Sequence, residues 1–226
     1  MSTYFKLLLF SVIVPLVFTF HRKIAFYRAW KYLLPAILIT SILFISWDIL
    51  YTRLGVWGFN PRHLQGIYLF GLPMEEYLFF LVIPYCSLFT YYSLNKWSPA
   101  PWFEKNARVI SLALIGFSLV LGLAFFTRLY TSFNFLLTAL LLLLFQIILK
   151  SDMMGKFYRA YLVILLPFFL VNGVLTGTGI AGEVVWYNNT ENMGMRILTI
   201  PPEDIFYGFN LILINTWIFE YLRKKY

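Results

Sequence analysis

The chain has 226 residues, of which 61% are hydrophobic and 12% are charged. A soluble domain of this length could not bury so much apolar surface, so the composition excludes a soluble globular protein and predicts an all-α integral membrane protein. The net charge of +8 could suggest nucleic-acid binding. However, the basic residues lie in short loops between apolar runs, where the positive-inside rule accounts for them.

Seven apolar runs are long enough to cross a bilayer as helices. In chain order, the predicted spans are residues 4–20, 32–50, 76–94, 108–126, 133–149, 159–177 and 203–222. The first run is followed by His21, Arg22 and Lys23 rather than by a cleavage site, so we expect a retained helix and not a signal peptide.

Basic residues are divided unequally between the two sides of these spans. Of the 18 lysines and arginines, five fall on one side and the other 13 on the opposite side. The side with the excess is predicted to be cytoplasmic, which places the N-terminus outside and the C-terminus inside a multi-pass protein of the cell inner membrane. The five on the outer side are Lys6, Arg53, Arg62, Arg128 and Arg196.

A short acidic motif occurs twice, each time where a long apolar run begins. The first copy is Pro-Met-Glu-Glu at 73–76, and the second is Pro-Pro-Glu-Asp at 201–204. Proline and acidic residues both suit the first turn of a helix, so a single copy could be an ordinary helix start. Because the motif is repeated, and because ionisable groups near a membrane are costly, we favour a functional site. Its candidate catalytic residues are Glu75, Glu76, Glu203 and Asp204.

Adjacent carboxylates repel each other, so one member of each pair is expected to hold a proton and to act as an acid. Asp48 is the only acidic residue in the second span. It is either a further carboxyl group of the site or an interfacial residue that is hydrogen-bonded to a neighbouring helix.

The two motifs are 128 residues apart, and so are Asn60 and Asn188, and Gly66 and Gly194. This interval predicts an internal duplication with a connector helix between the copies. Because a single connecting span lets both copies insert in the same orientation, the repeats should be parallel and related by an axis along the membrane normal. The predicted units are residues 1–105 (spans one to three), 106–130 (span four) and 131–226 (spans five to seven).

Aromatic residues accompany both asparagines, either as ordered caps of the outer loops or as an interfacial belt. Together with aromatic residues near the acidic groups, they are candidate substrate contacts. These candidates are Trp47, Trp57, Asn60, Trp186, Tyr187, Asn188 and Tyr207.

Several other site types are disfavoured. The single Cys86 excludes an intrachain disulfide and a paired-cysteine metal site, and the two histidines lie in different loops, so no metal is expected. The glycines at 177–182 match G-x-G-x-x-G, but a membrane span precedes them instead of a strand. The last span has no lysine for a retinal Schiff base.

The motifs resemble those of the small membrane lycopene cyclase domain. In the first half, the resemblance rests on Glu75-Glu76 after Leu72-Pro73, with Trp47-Asp48 and residues 55–57 upstream. In the second half, it rests on residues 200–204 followed by residues 206–209. The chain is similar to the fused two-domain form of that family over nearly all of its length. The second copy differs by having Pro202 and Asp204 where the first has Met74 and Glu76.

This resemblance implies an enzyme that cyclises the linear ends of lycopene to β-rings, giving γ-carotene and then β-carotene. The reaction is a redox-neutral isomerisation in which carboxyl groups give and take a proton. The expected partners are a linear carotenoid and membrane lipid, with no nucleic acid. No cofactor is expected, although a need for reduced flavin stays open, as does the oligomeric state.

Three other classes compete with this interpretation. A carotenoid hydratase would use the same acid but would admit water to the cation. A small transporter built from parallel repeats would place acidic residues near the midplane of several spans, whereas here they lie near the outer ends. A non-catalytic scaffold would leave the repeated acidic motif unexplained.

The charge distribution predicts the topology. Reporter fusions after Lys96 and at the C-terminus should both report a cytoplasmic location, because both points lie on the side that carries 13 of the 18 basic residues. A periplasmic signal at either point would overturn this topology and would move the acidic motifs to the other leaflet.

Overall fold

A computed structural model describes residues 1–225, which form seven long helices and two small β-ribbons. The helices are α1 (Thr3–Thr19), α2 (Trp30–Arg53), α3 (Met74–Trp97), α4 (Pro101–Ala124), α5 (Leu129–Leu142), α6 (Met154–Leu175) and α7 (Pro202–Lys225). A π-helical segment, Leu143–Ile148, extends α5, and short 3₁₀ turns occupy Phe26–Ala29 and Pro61–His63. The strands are β1 (Trp57–Phe59), β2 (Tyr68–Leu69), β3 (Leu72–Pro73) and β4 (Val185–Tyr187).

Within residues 1–225, six helical segments are long and apolar enough to cross a membrane. They correspond to α2 to α7, whereas α1 is a shorter apolar helix of 17 residues. The prediction of an all-α membrane protein is therefore confirmed, and a seventh span at α1 stays a prediction. The helices extend beyond the predicted apolar runs: α6 begins at Met154 and includes Lys156, which lies outside the predicted span 159–177.

Helices α2, α3, α6 and α7 form the centre of the bundle. α3 packs against α1, α2 and α6, and α7 packs against α5, α2 and α3. α2 therefore lies between α3 and α7 and joins the two halves of the chain. The buried core between these helices is rich in aromatic side chains, including Phe44, Phe80, Phe157, Phe209 and Phe219. α4 lies against α5 and α6.

The loops that precede α3 and α7 have the same backbone geometry at an interval of 128 residues. Gly66 and Gly194 both have positive φ, at 83° and 74°, as do Phe70 and Leu198, at 51° and 59°. In each loop a short antiparallel pairing follows, Leu69 with Leu72 in the first and Ile197 with Ile200 in the second. The sequence interval is thus matched in local structure. The limits of the repeats and the axis that relates them stay predictions.

Strands β1 and β4 join the loops that precede α3 and α7 in one antiparallel ribbon. Gly58 pairs with Trp186, the position 128 residues further on, so the ribbon is symmetric about this pair. The backbone N–H of Asn60 donates to Val184 over 2.8 Å, and that of Asn188 donates to Val56 over 2.9 Å. A side chain at Gly58 would overlap the indole ring of Trp186, which explains the glycine.

The contact between α4 and α6 depends on one glycine and generates a stability prediction. A Cβ atom at Gly155 would overlap backbone atoms of Phe103 and Glu104 at the start of α4. Gly155→Ala should therefore destabilise the protein by about 1–3 kcal/mol, the usual cost of overpacking, and lower the melting temperature in detergent.

Gly116→Ala is the matched control, because a Cβ atom at that position in α4 meets open space. It should leave the melting temperature unchanged or raise it slightly, since alanine favours a helix over glycine. Equal melting temperatures for the two variants would contradict the close approach of α4 and α6.

Candidate functional site

A cavity of about 640 Å³ lies between α1, α3, α6 and α7. Along α3 it extends from Glu76 to Thr90, which corresponds to about 21 Å at 1.5 Å per residue. Its walls are mostly apolar, and its carboxyl groups lie at the end nearest the loops that precede α3 and α7. Ligand pockets commonly have this size and this combination of apolar walls with a few convergent polar groups.

Three carboxyl groups line this polar end, those of Asp48, Glu76 and Asp204. They come from α2, α3 and α7, so both acidic motifs and the second helix contribute one group each. All three residues are buried, with exposed fractions of 3%, 7% and 5%. Carboxyl groups in such surroundings need hydrogen-bond partners, and the partners differ between the three.

Asp48 and Glu76 interact with each other through their side chains. The Glu76 carboxyl also accepts a hydrogen bond of 2.6 Å from the hydroxyl of Tyr4, and Oδ1 of Asp48 accepts one of 3.2 Å from Tyr207. No hydroxyl or amide within residues 1–225 donates to Oδ2 of Asp48. An ionised carboxylate is not a donor, so direct contact between the two groups is favourable only when they hold a proton between them.

Asp204 has a different environment, because three donors surround its carboxyl group. Oδ1 accepts from the hydroxyl of Tyr130 at 2.6 Å. Oδ2 accepts from the side-chain amide of Asn172 and from the hydroxyl of Tyr187, each at 2.8 Å. Hydrogen bonds donated to a carboxyl group stabilise its ionised form. The surroundings of Asp48 and Glu76 therefore favour a shared proton, whereas the three donors around Asp204 favour its ionised form.

Glu75 and Glu203, the first acidic residues of the two motifs, do not line the cavity. Oε1 of Glu75 accepts hydrogen bonds from the hydroxyl of Ser2 at 2.8 Å and from the backbone N–H of Gln65 at 2.7 Å. Oε1 of Glu203 accepts from Thr131 at 2.6 Å and from the backbone N–H of Met193 at 2.7 Å. Each glutamate thus fixes the loop that precedes its own helix.

Trp57, Tyr187 and Tyr207 line the cavity next to the carboxyl groups. Their rings are packed together, with centroids 6.3 Å apart for Trp57 and Tyr187 and 6.0 Å apart for Trp57 and Tyr207. Burial and the neighbouring Asp204 raise the pKa of the Tyr187 phenol, so this hydroxyl stays protonated and can donate.

The other candidate substrate contacts lie outside the cavity lining. Asn60 and Asn188 cap turns in the loops that precede α3 and α7, since their side-chain oxygens accept from the backbone N–H groups of Arg62 and Thr190, both at 3.1 Å. Trp186 lies over Gly58 on the ribbon. Trp47 is one layer behind the lining and packs against Tyr207, with ring centroids 5.0 Å apart. These residues position the lining rather than form it.

Sequence reasoning found the donors Tyr187 and Tyr207 but missed three others, Tyr4, Tyr130 and Asn172. Tyr4 and Tyr130 perform the same task in the two halves, but they are 126 residues apart and so escape a search at the 128-residue interval. Asn172 occupies the place beside Asp204 that Asp48 occupies beside Glu76. A search for matching residues at intervals near 128, which allows the loops of the two halves to differ in length, could have found them.

The cavity reaches the outer surface of the helix bundle between α1 and α6. Three of its lining residues are largely exposed there, namely Phe10 (68%), Val14 (60%) and Leu170 (73%). An apolar molecule dissolved in a bilayer can therefore enter from the side without crossing the polar loops. No cluster of three or more His, Cys, Asp or Glu side chains within residues 1–225 is arranged to hold a metal ion.

Comparison with known proteins assigns the family. The profile of the family described as Lycopene cyclase matches residues 1–94 and 127–222, and the unmatched part between them contains all of α4. A bifunctional lycopene cyclase/phytoene synthase from Aspergillus oryzae is 26% identical over 98 residues, which cover 42% of this chain and 17% of that protein. No solved structure matches the chain. Because the profile covers most of its length, the chain belongs to the lycopene cyclase family.

Proposed function

We propose that this protein is an enzyme of carotenoid biosynthesis that closes β-rings at the linear ends of lycopene, giving γ-carotene and then β-carotene. The observation that carries the proposal is that the interacting carboxyl groups of Asp48 and Glu76 line the polar end of a mostly apolar cavity. A carboxyl pair that holds a proton away from water is a general acid, and the rest of the cavity suits a long hydrocarbon.

In the first step, the proton held by Asp48 and Glu76 is transferred to the terminal double bond of the substrate. The resulting tertiary cation is attacked by the neighbouring double bond, which forms the new carbon–carbon bond of the ring. The positive charge then lies on a ring carbon, and the acid pair has become anionic. No oxidant or reductant is consumed, because every bond change is a proton transfer or an internal rearrangement.

In the second step, a ring proton is lost and the ring double bond forms. Asp204 is the proposed base, because its three donors keep it ionised and it lies on the same cavity as the acid pair. Which ring proton is removed decides between a β-ring and an ε-ring. The proposal of a β-ring requires the Asp204 carboxylate to lie nearest the ring carbon that is attached to the polyene chain.

Aromatic faces would stabilise the intermediate cation without trapping it. Trp57, Phe79, Tyr187 and Tyr207 line the cavity near the carboxyl groups. A cation over such a ring gains about 0.5–2 kcal/mol, and an aromatic ring does not form a covalent adduct as water would. The apolar walls also keep water from quenching the cation, which favours cyclisation over hydration.

The proposed topology places this site near the outer surface of the cell inner membrane, with the N-terminus outside and the C-terminus in the cytoplasm. The substrate would enter from the lipid between α1 and α6, where Phe10, Val14 and Leu170 are exposed. Its reactive end would reach the carboxyl groups while the rest of the polyene lies along α3.

Expression in a bacterium that accumulates lycopene tests the activity. The proposal expects the red pigment to turn orange to yellow and chromatography to resolve γ-carotene and β-carotene. Hydroxylated carotenoids would instead indicate a hydratase, and unchanged lycopene in cells that contain the membrane-inserted protein would contradict the proposal.

Adjacent glutamates allow a matched comparison of the acid. Glu76→Gln should lower cyclisation by about 10²–10⁴-fold, because an amide keeps the shape but cannot donate a carboxyl proton. Glu75→Gln is the control: its side-chain oxygen can still accept from Ser2 and Gln65, and it does not line the cavity. The measurement is product formed per amount of membrane-inserted protein. Equal losses in the two variants would show that the motif serves the fold and not the chemistry.

The two halves of the chain should be inactive when separated. The cavity takes its walls from α1 and α3 in one half and from α6 and α7 in the other. Expressed together, residues 1–105 and 106–226 should restore cyclisation, because membrane helices can associate after independent insertion. Cyclisation by either fragment alone would refute a single shared site.

A further inference from the structure

A second pocket, of about 300 Å³, lies at the opposite end of the bundle from the acidic cavity. It is formed where α3 and α7 end and where α6 begins. Four basic side chains line it, Lys96, Lys156, Arg223 and Lys224, against two acidic ones, Asp152 and Glu220. The pocket therefore has an excess of positive charge and no role in the proposed cyclisation.

The acidic residues neutralise this charge only in part. Arg223 lies 3.2 Å from Glu220, and Lys224 lies 3.5 Å from Asp152, in pairs whose basic members are well exposed. Such surface pairs are weak. Lys156 forms neither a hydrogen bond nor an ion pair within residues 1–225, and Lys96 uses one of its three N–H donors on the carbonyl of Ile24, at 2.8 Å.

A buried donor in the same pocket also lacks an acceptor. Nδ2 of Asn95 is buried and has no hydrogen-bond partner within residues 1–225. Its orientation is fixed, because Oδ1 of the same amide accepts from the Arg159 guanidinium at 2.7 Å. An unsatisfied buried donor is unfavourable, so a bound ligand with an acceptor oxygen near Nδ2 of Asn95 would be stabilised.

We propose that this pocket binds the phosphate group of an anionic membrane lipid. Phosphate oxygens would accept from Lys156, Lys96 and Asn95 and would balance the excess charge. A lipid is favoured over a soluble phosphate because the pocket lies at helix ends, and the exposed rings of Trp97 and Tyr221 lie at these same ends of α3 and α7. Such rings lie at the level of lipid headgroups, and basic pockets between membrane helices on the cytoplasmic side bind anionic headgroups.

The test compares lipids on the full-length protein in an uncharged detergent at fixed ionic strength. Phosphatidylglycerol should bind more tightly than phosphatidylcholine, measured by native mass spectrometry, and should raise the melting temperature more. Lys156→Gln combined with Lys224→Gln should weaken phosphatidylglycerol binding roughly tenfold or more, because each basic residue near a charged headgroup contributes to the affinity.

Lys23→Gln combined with Lys105→Gln is the matched control, since it removes the same charge from exposed positions that do not line the pocket. It should leave the lipid preference intact. Equal weakening in both double variants would reduce the effect to general surface charge and overturn the proposal. Binding of inorganic phosphate as tightly as of phosphatidylglycerol would assign the pocket to a soluble anion and overturn it as a lipid site.

Discussion

Buried carboxyl groups need partners, and in this protein the partners of five such groups help to assemble the end of the bundle at which α3 and α7 begin. Glu75 and Glu203 are almost fully buried and take backbone N–H donors from the loops that precede their helices. Tyr4 and Tyr130 bring the first turns of α1 and α5 onto α3 and α7. These hydrogen bonds add to the β1–β4 ribbon and to the packing of α1 on α3 and of α5 on α7. The apolar cavity lies next to these hydrogen bonds, so its polar end depends on them.

The two halves have similar frames, but they differ in the side chain that lies beside the cavity carboxyl group. Asp48 stands beside Glu76 in the first half, whereas Asn172, an amide donor, stands beside Asp204 in the second. An acid–acid contact retains a proton, and an amide–carboxylate contact favours the ionised form. On this account, the exchange of one side chain converts two similar sites into an acid and a base that face one cavity. The predicted duplication would account for the similar frames of the two sites, and this one exchange would account for their different protonation.

Much of the helical fold could be predicted from the sequence, because a chain in a bilayer must satisfy its backbone hydrogen bonds within each helix. Helix ends were less predictable. The predicted apolar span begins at residue 159, but α6 begins at Met154, because basic residues are tolerated where a helix leaves the membrane. The motif carboxylates were found, but not which of them face the cavity. Neighbouring helix residues point about 100° apart, and packing against other helices decides which one is directed inward.

The central claim is that a protein carboxyl group gives its proton to the substrate carbon. The most direct measurement is the mass of the product formed in deuterated water by membranes that contain the protein. Carboxyl protons exchange with solvent, so the account predicts one carbon-bound deuterium for each ring closed and none in the lycopene that is recovered. Rings closed without deuterium would show that the proton does not come from an exchangeable acid, and the role assigned to Asp48 and Glu76 would be wrong.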